Sequence, residues 1–141
     1  MKLVRDSSVG FKWAVIEALT DKARKLRDDF LAALVELVAP DVFPIEIGHA
    51  LTRAERQGRI TRPQGSMLMA DMLTTLPPLC PSLSLLPRAY AISSDRRIGV
   101  YDCLYVALAE REGCELITAD DRLVRVLQAQ YPFIVPLASL P

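Results

Sequence analysis

The stretch GVYDCLYVALAEREG, residues 99–113, decides how the rest of the chain is read. From Tyr101 to Ala109 every side chain is apolar or aromatic except Asp102. A helix that is apolar all round is a buried helix. A carboxylate in the first turn of such a helix must be paired, neutralised or bound to a metal ion. The function turns on which of these applies.

Downstream of this helix, CELITA reads as a strand, DDRLVRVLQAQ as a helix and FIVPL as a last strand. Upstream, KLV reads as a short strand that stops at Asp6. Ser7 and Ser8 follow as turn or cap residues, and VGFKWAVIEAL is helical in pattern. Thr20 is the expected cap of the next helix, where Ala23, Leu26, Phe30, Ala33 and Leu37 fall at near-helical spacing. ELVAP reads as a second strand ending at Pro40. Asp41 is the expected cap of a third helix, with Pro44 tolerated in its first turn.

In that third helix Ile47, Ala50, Leu51 and Ala54 form an apolar stripe. Glu46, His49 and Arg53 form a polar one, since positions i, i+3 and i+7 share a face. RQGRITRPQG reads as a loop. The segment holding Met67, Met69 and Met72 reads as core packing first and a partner surface second. PPLCPSLSLLP is proline-dense and expected to be irregular, with RAYAIS a short helix after it. Strands alternating with helices argue an α/β fold around a parallel sheet. No repeat or long linker divides the 141 residues, so a single domain over 1–141 is expected.

Composition narrows the chemistry. Lys plus Arg and Asp plus Glu are both 17, so net charge does not select a nucleic-acid partner and a local basic patch would have to. Three cysteines without a CxxC pair argue against a disulfide framework or zinc ribbon, and fit a reducing cytoplasm. His49 is the only histidine, which leaves no multi-histidine metal site. The first residues lack the apolar run of a signal peptide, and no later segment approaches a membrane span. GxSxG, GxGxxG and P-loop stretches are absent. A phosphoacceptor receiver would need a late lysine, but none follows Lys25. A haloacid-dehalogenase-like phosphatase would need an aspartate where Ser8 stands.

Four acids remain. Asp6 ends the first strand, Asp120 follows the strand CELIT, Asp102 opens the buried helix and Glu46 lies in the third helix. Taken singly, the aspartates read as helix caps and Glu46 as a solvated residue. Taken together they matter more, because ligands of an open parallel sheet bind at the carboxyl ends of its strands. Clustered carboxylates repel one another unless a cation sits among them. Oxygen donors without His or Cys select Mg²⁺ or Mn²⁺.

KLVRDSSVGFKW, FPIEIGHAL, YDCLYVALAE and LITADDRL together resemble the four signature blocks of the PIN-domain nucleases, most of all the VapC-like toxin subunits of toxin–antitoxin pairs. The order Asp, Glu, Asp, Asp matches, at spacings of 40, 56 and 18 residues. The resemblance implies a three-layer α/β fold with a central parallel sheet flanked by helices. It implies a metal-binding, catalytic cleft of Asp6, Glu46, Asp102 and Asp120. It also implies a Mg²⁺- or Mn²⁺-dependent ribonuclease, often dimeric, restrained by a small antitoxin.

On this reading Ser8 and His49 support the carboxylates from behind. Arg53, Arg56, Arg59 and Arg97, with Arg62 and Arg96 nearby, are candidates for RNA phosphates, an ordinary solvated face being the other reading. Trp13 and Tyr101 are candidates for base stacking or for the core. Asp121 reads as solvated or capping.

The chain departs from the family pattern twice. Arg5 stands where an apolar residue usually precedes the first aspartate, and is expected to snorkel or to pair with an acid. His49 stands where Asn is frequent, and is expected either to hydrogen-bond Glu46 or contact a phosphate, or to be an ordinary surface histidine. The competing reading is a catalytically inactive PIN-like domain that binds RNA or protein.

Overall fold

The run Lys2–Arg5 (β1) is the middle strand of the sheet, and a middle strand between helical layers is buried on both faces. Leu3 and Val4 meet that demand with apolar side chains, while Arg5 is equally buried and charged. The computed structural model describes residues 1–141. After β1 come α1 (Ser7–Ala14), α2 (Thr20–Leu31), β2 (Glu36–Pro40), α3 (Phe43–Arg56) and α4 (Arg62–Thr74). The second half holds β3 (Leu79–Cys80), α5 (Ser82–Arg96), α6 (Val100–Glu112), β4 (Glu115–Thr118), α7 (Asp121–Leu127) and β5 (Ile134–Pro136).

All strand pairs are parallel, in the order β3-β2-β1-β4-β5. The chain steps outward from β1 to β2 to β3, then returns to the far side of β1 to lay down β4 and β5. Right-handed connections put α1–α4 on one face and α5–α7 on the other. The reversal makes the gap between β1 and β4 the switch point, where a parallel sheet leaves a crevice at its carboxyl edge. Val4 pairs with Leu116 and Arg5 with Ile117, which brings Asp6 level with the end of β4. A connected core of 33 buried residues runs through both layers. No helix is long and apolar enough to cross a membrane.

Helix α6 packs against β1, β2, β4 and α5, and Cys103 to Ala109 are all buried. Such a helix has no solvent face, which explains its missing amphipathic pattern. Its first turn emerges at the carboxyl edge of the sheet, where Tyr101 is 59% exposed and Asp102 half-buried. Gly113 ends it with φ of 62°, a left-handed conformation glycine adopts without strain.

Several local expectations need correction. Thr20 does not cap α2. Leu19 holds the cap position with φ of 67°, and the Thr20 hydroxyl instead accepts a bond from the Glu17 N–H at 2.9 Å. Ala33 and Leu37 lie beyond α2, and Leu37 belongs to β2. The predicted loop after α3 is shorter than expected. Thr61 and Gln64 form a reciprocal capping box that starts α4, with Pro63 in its first turn.

The proline-dense stretch is not irregular either. It supplies β3 and the first half of a 15-residue α5. Pro87 forfeits one bond inside that helix, to the Leu83 carbonyl, and Leu83 is 81% exposed, so water can take the acceptor. Burial of Leu85, Ala89 and Ile92 against α6 outweighs the loss.

Asp41 is not the cap of α3, a position held by Val42; its carboxylate accepts the Ser82 N–H at 3.1 Å, at the start of α5. Replacing Asp41 by Ala is therefore expected to cost about 1 kcal/mol in urea unfolding. Amide exchange should quicken at the start of α5 and stay unchanged at the start of α3.

Candidate active site

Asp6 leaves β1 in extended conformation and caps α1, its Oδ1 accepting the Val9 N–H at 3.3 Å. The same oxygen accepts the Ser8 hydroxyl, and Oδ2 accepts the Thr118 hydroxyl from the end of β4. Ser8 Oγ in turn accepts the Ala119 N–H at 3.0 Å, and Thr118 Oγ1 the Asp120 N–H at 3.0 Å. These bonds lace the two strand ends across the switch point. Asp120 Oδ1 caps α7 through the N–H groups of Arg122 and Leu123, at 3.0 and 3.2 Å. Glu46 reaches the cleft from α3, where its Oε1 accepts the Tyr105 hydroxyl of α6 at 2.6 Å.

The acids feel one another. Burial raises the Asp6 carboxyl to about 6; the bonds from Ser8, Thr118 and Val9 oppose the rise, and Asp120 adds to it. Asp102 also rises to about 6, first through burial, then through the charges of Asp120 and Asp6, with Arg122 opposing. Glu46 is pushed up by burial and by Asp102, and held back by Tyr105. All four acids thus share one region. None of them is tied to a lysine or arginine in an ion pair. The side chains are not drawn together around a point: no three Asp, Glu, His or Cys residues stand close enough to hold an ion between them. Asp121 is exposed beside the cluster.

A cavity of about 480 Å³ opens beside Glu46, lined by Ser7, Ile45, Glu46, His49 and Tyr101. A larger groove of about 680 Å³ lies between α3 and α4 but touches none of the four acids, so volume is the poorer guide here. His49 is exposed, its ring bonds neither Glu46 nor another side chain, and its charge favours ionised Glu46. Tyr101 stands open to solvent. Trp13 is buried, which removes it from base stacking. Met72 is core, Met69 half-buried and Met67 exposed, so that segment divides between the two readings.

Arg53, Arg56, Arg62 and Arg97 are exposed without an ion-pair partner. Arg59 is bound to Glu17 at 3.0 Å, and Arg96 to Gln130 and the Val126 carbonyl. Arg5 neither snorkels nor pairs with an acid. It is wholly buried, its guanidinium 3.6 Å from the Trp13 ring centre and 4.3 Å from that of Phe43. Burial lowers it to about 9, against the pull of Tyr105 and Asp6.

Reading by residue type missed Tyr105, Thr118 and Arg122. Tyr105 and Thr118 sit among apolar neighbours and read as core. Only their places, three residues after Asp102 and two before Asp120, could have flagged them.

The PIN domain family model matches residues 4–127. The VapC ribonuclease Mb0985 of Mycobacterium bovis is 31% identical over 124 residues, 86% of this chain and 96% of that protein. Ribonuclease VapC3 of Pyrobaculum aerophilum is 28% identical over 137 residues, 96% of this chain and 98% of that protein. The crystal structure of PAE2754 from Pyrobaculum aerophilum superposes with a TM-score of 0.67 over 99% of this chain and 94% of that one, at 22% identity, a likeness of fold. With the family model spanning most of its length, the chain belongs to the PIN-domain family, among the VapC-like ribonucleases.

Proposed function

We propose that the chain hydrolyses phosphodiester bonds of single-stranded RNA with the help of Mg²⁺ or Mn²⁺, as the toxin of a toxin–antitoxin pair in the cytoplasm. The observation that carries this reading is the gathering of Asp6, Asp102, Asp120 and Glu46 at the switch point with none of them held in an ion pair. The donor set is all oxygen, which suits a hard divalent cation. Such an ion, when bound, screens the phosphate oxygens and makes a water more acidic. Asp6, Glu46 and Asp102 would hold it, their side chains turning inward to do so. Tyr105 orients Glu46, and Ser8 and Thr118 fix both oxygens of Asp6. Asp120 would orient the attacking water or support a second ion. Arg122, close enough to bias Asp102, can meet a phosphate.

Arg53 continues the stripe of Glu46 and His49 along α3, and Arg56 lies one turn on. RNA would follow this line away from the cleft, with Arg97 contributing from the end of α5. Leu83, Leu86 and Tyr90 share one face of α5 and stand 81%, 41% and 67% exposed, which favours pairing with a second copy. Ile16 and Met67, exposed beside one groove, offer a small antitoxin its apolar contacts.

The test is cleavage of a pool of single-stranded RNAs in Mn²⁺, Mg²⁺ or chelator. Asp6→Asn and Asp102→Asn should each lose at least about a hundredfold in rate and keep a cooperative melt. Undiminished cleavage by both variants would overturn the reading. Arg53→Ala with Arg56→Ala should weaken binding of all RNAs alike, and each change should flatten the salt dependence by about one unit of slope.

Burying these acids beside one another also has a signature in stability. Asp6 and Asp102 titrate higher in the folded protein than in the unfolded chain. The folded state therefore binds more protons between the two values, and stability falls as pH rises through the folded one. In chelator, the melting temperature should drop from about pH 5 to about pH 7.5, and Asp102→Asn should reduce the drop.

A further inference from the structure

Arg5 is the least accountable side chain of the core. It is 0% exposed in the central strand, and none of Nε, Nη1 and Nη2 has a hydrogen-bond partner. A buried, unpaired charge is among the most unfavourable things an interior can hold. A guanidinium does not escape by shedding its proton, as a buried lysine does. Yet the surroundings are built for it. Trp13 and Phe43 present their ring faces to it at 3.6 and 4.3 Å. Gly10 leaves the space it fills: a Cβ there would lie 2.6 Å from Arg5 Nη1 and 2.8 Å from the Phe43 ring. The rings supply favourable quadrupoles. The negative charge of Asp6 adds to this. Asp6 is the next residue, and Phe43 and Glu46 are neighbours one turn apart on the same face of α3.

We propose that Arg5 is a resident counter-cation of the carboxylate cleft, a positioning residue whose fixed charge offsets that of the adjoining Asp6 in the absence of a divalent ion and lowers the affinity of the cleft for one. The inference rests on the metal-binding cleft argued above. Arg5 and a divalent ion compete for Asp6, so the cleft tolerates being without an ion and binds it less tightly than it would with an uncharged residue at this position. The two rings and the charge of Asp6 are what let a charge-bearing strand stand where the core calls for an apolar one.

The measurement is calorimetric titration of Mn²⁺ into the purified full chain, with melting curves in Mn²⁺ and in chelator. Arg5→Met keeps length and apolar contact with both rings and removes the charge. It should bind Mn²⁺ about tenfold more tightly than the wild type, and Mn²⁺ should raise its melting temperature further. Trp13→Phe loosens the same packing with the charge intact, so it should melt lower while its Mn²⁺ affinity stays within about twofold of wild type. Arg5→Gln repeats the test if Arg5→Met does not melt cooperatively. A neutral variant that folds and binds Mn²⁺ no more tightly than wild type overturns the inference. Should that happen while wild type binds and Asp102→Asn does not, only the role of Arg5 falls. A wild type that takes up no Mn²⁺ overturns the metal cleft and this inference with it.

Discussion

The burial of neighbouring carboxylates at the edge of a parallel sheet is the constraint on which the rest of this structure depends. Burial raises the carboxyls of Asp6 and Asp102 to about 6, and the charge of Asp120 adds to both. A fold selected for stability alone would separate these groups or match each with a base. This one keeps them together and spends hydrogen bonds on aiming them: both oxygens of Asp6 are fixed by side chains two and 112 residues away in sequence. Such fixing costs conformational freedom, and it has value where a carboxylate must present a set geometry to something else.

Topology makes the gathering possible. Two strands that diverge in their onward connections leave a crevice, and the ends of β1 and β4 each deliver an aspartate to it. Helix α6 then has two duties. Its apolar body joins the sheet to α5, and its first turn brings Asp102 to the same crevice with the helix dipole favouring the negative charge. The carboxylate that looked out of place in GVYDCLYVALAEREG stands where the helix leaves the core. Arg5 belongs to this electrostatic frame. Its charge is sheltered by two rings, makes no hydrogen bond and feels the charge of Asp6.

Much of this was legible in the residues. The alternation of strand and helix patterns yielded the parallel sheet, and the fully apolar run of α6 announced its burial. What stayed hidden was decided by contacts distant in sequence. The stretch holding Pro81 and Pro87 looked irregular by local preference, and packing of Leu85, Ala89 and Ile92 on α6 made it a helix. Asp41 had every local mark of a cap and was claimed by Ser82, 41 residues away. Thr20 was displaced from its cap by a left-handed Leu19. At the cleft, carboxylates announce themselves by type. Tyr105 and Thr118 do not, because a hydroxyl among apolar neighbours looks like core until its partner is known. Arg5 could be seen as out of place, but the pairing of its two rings with Gly10 is a property of three dimensions.

The most direct test of the central claim is anomalous diffraction from crystals grown with Mn²⁺. The account predicts one strong peak among the carboxylates of Asp6, Glu46 and Asp102, with Asp120 alongside, and its loss in Asp102→Asn. A well-ordered cleft with no peak, or Mn²⁺ bound only elsewhere on the molecule, would contradict it.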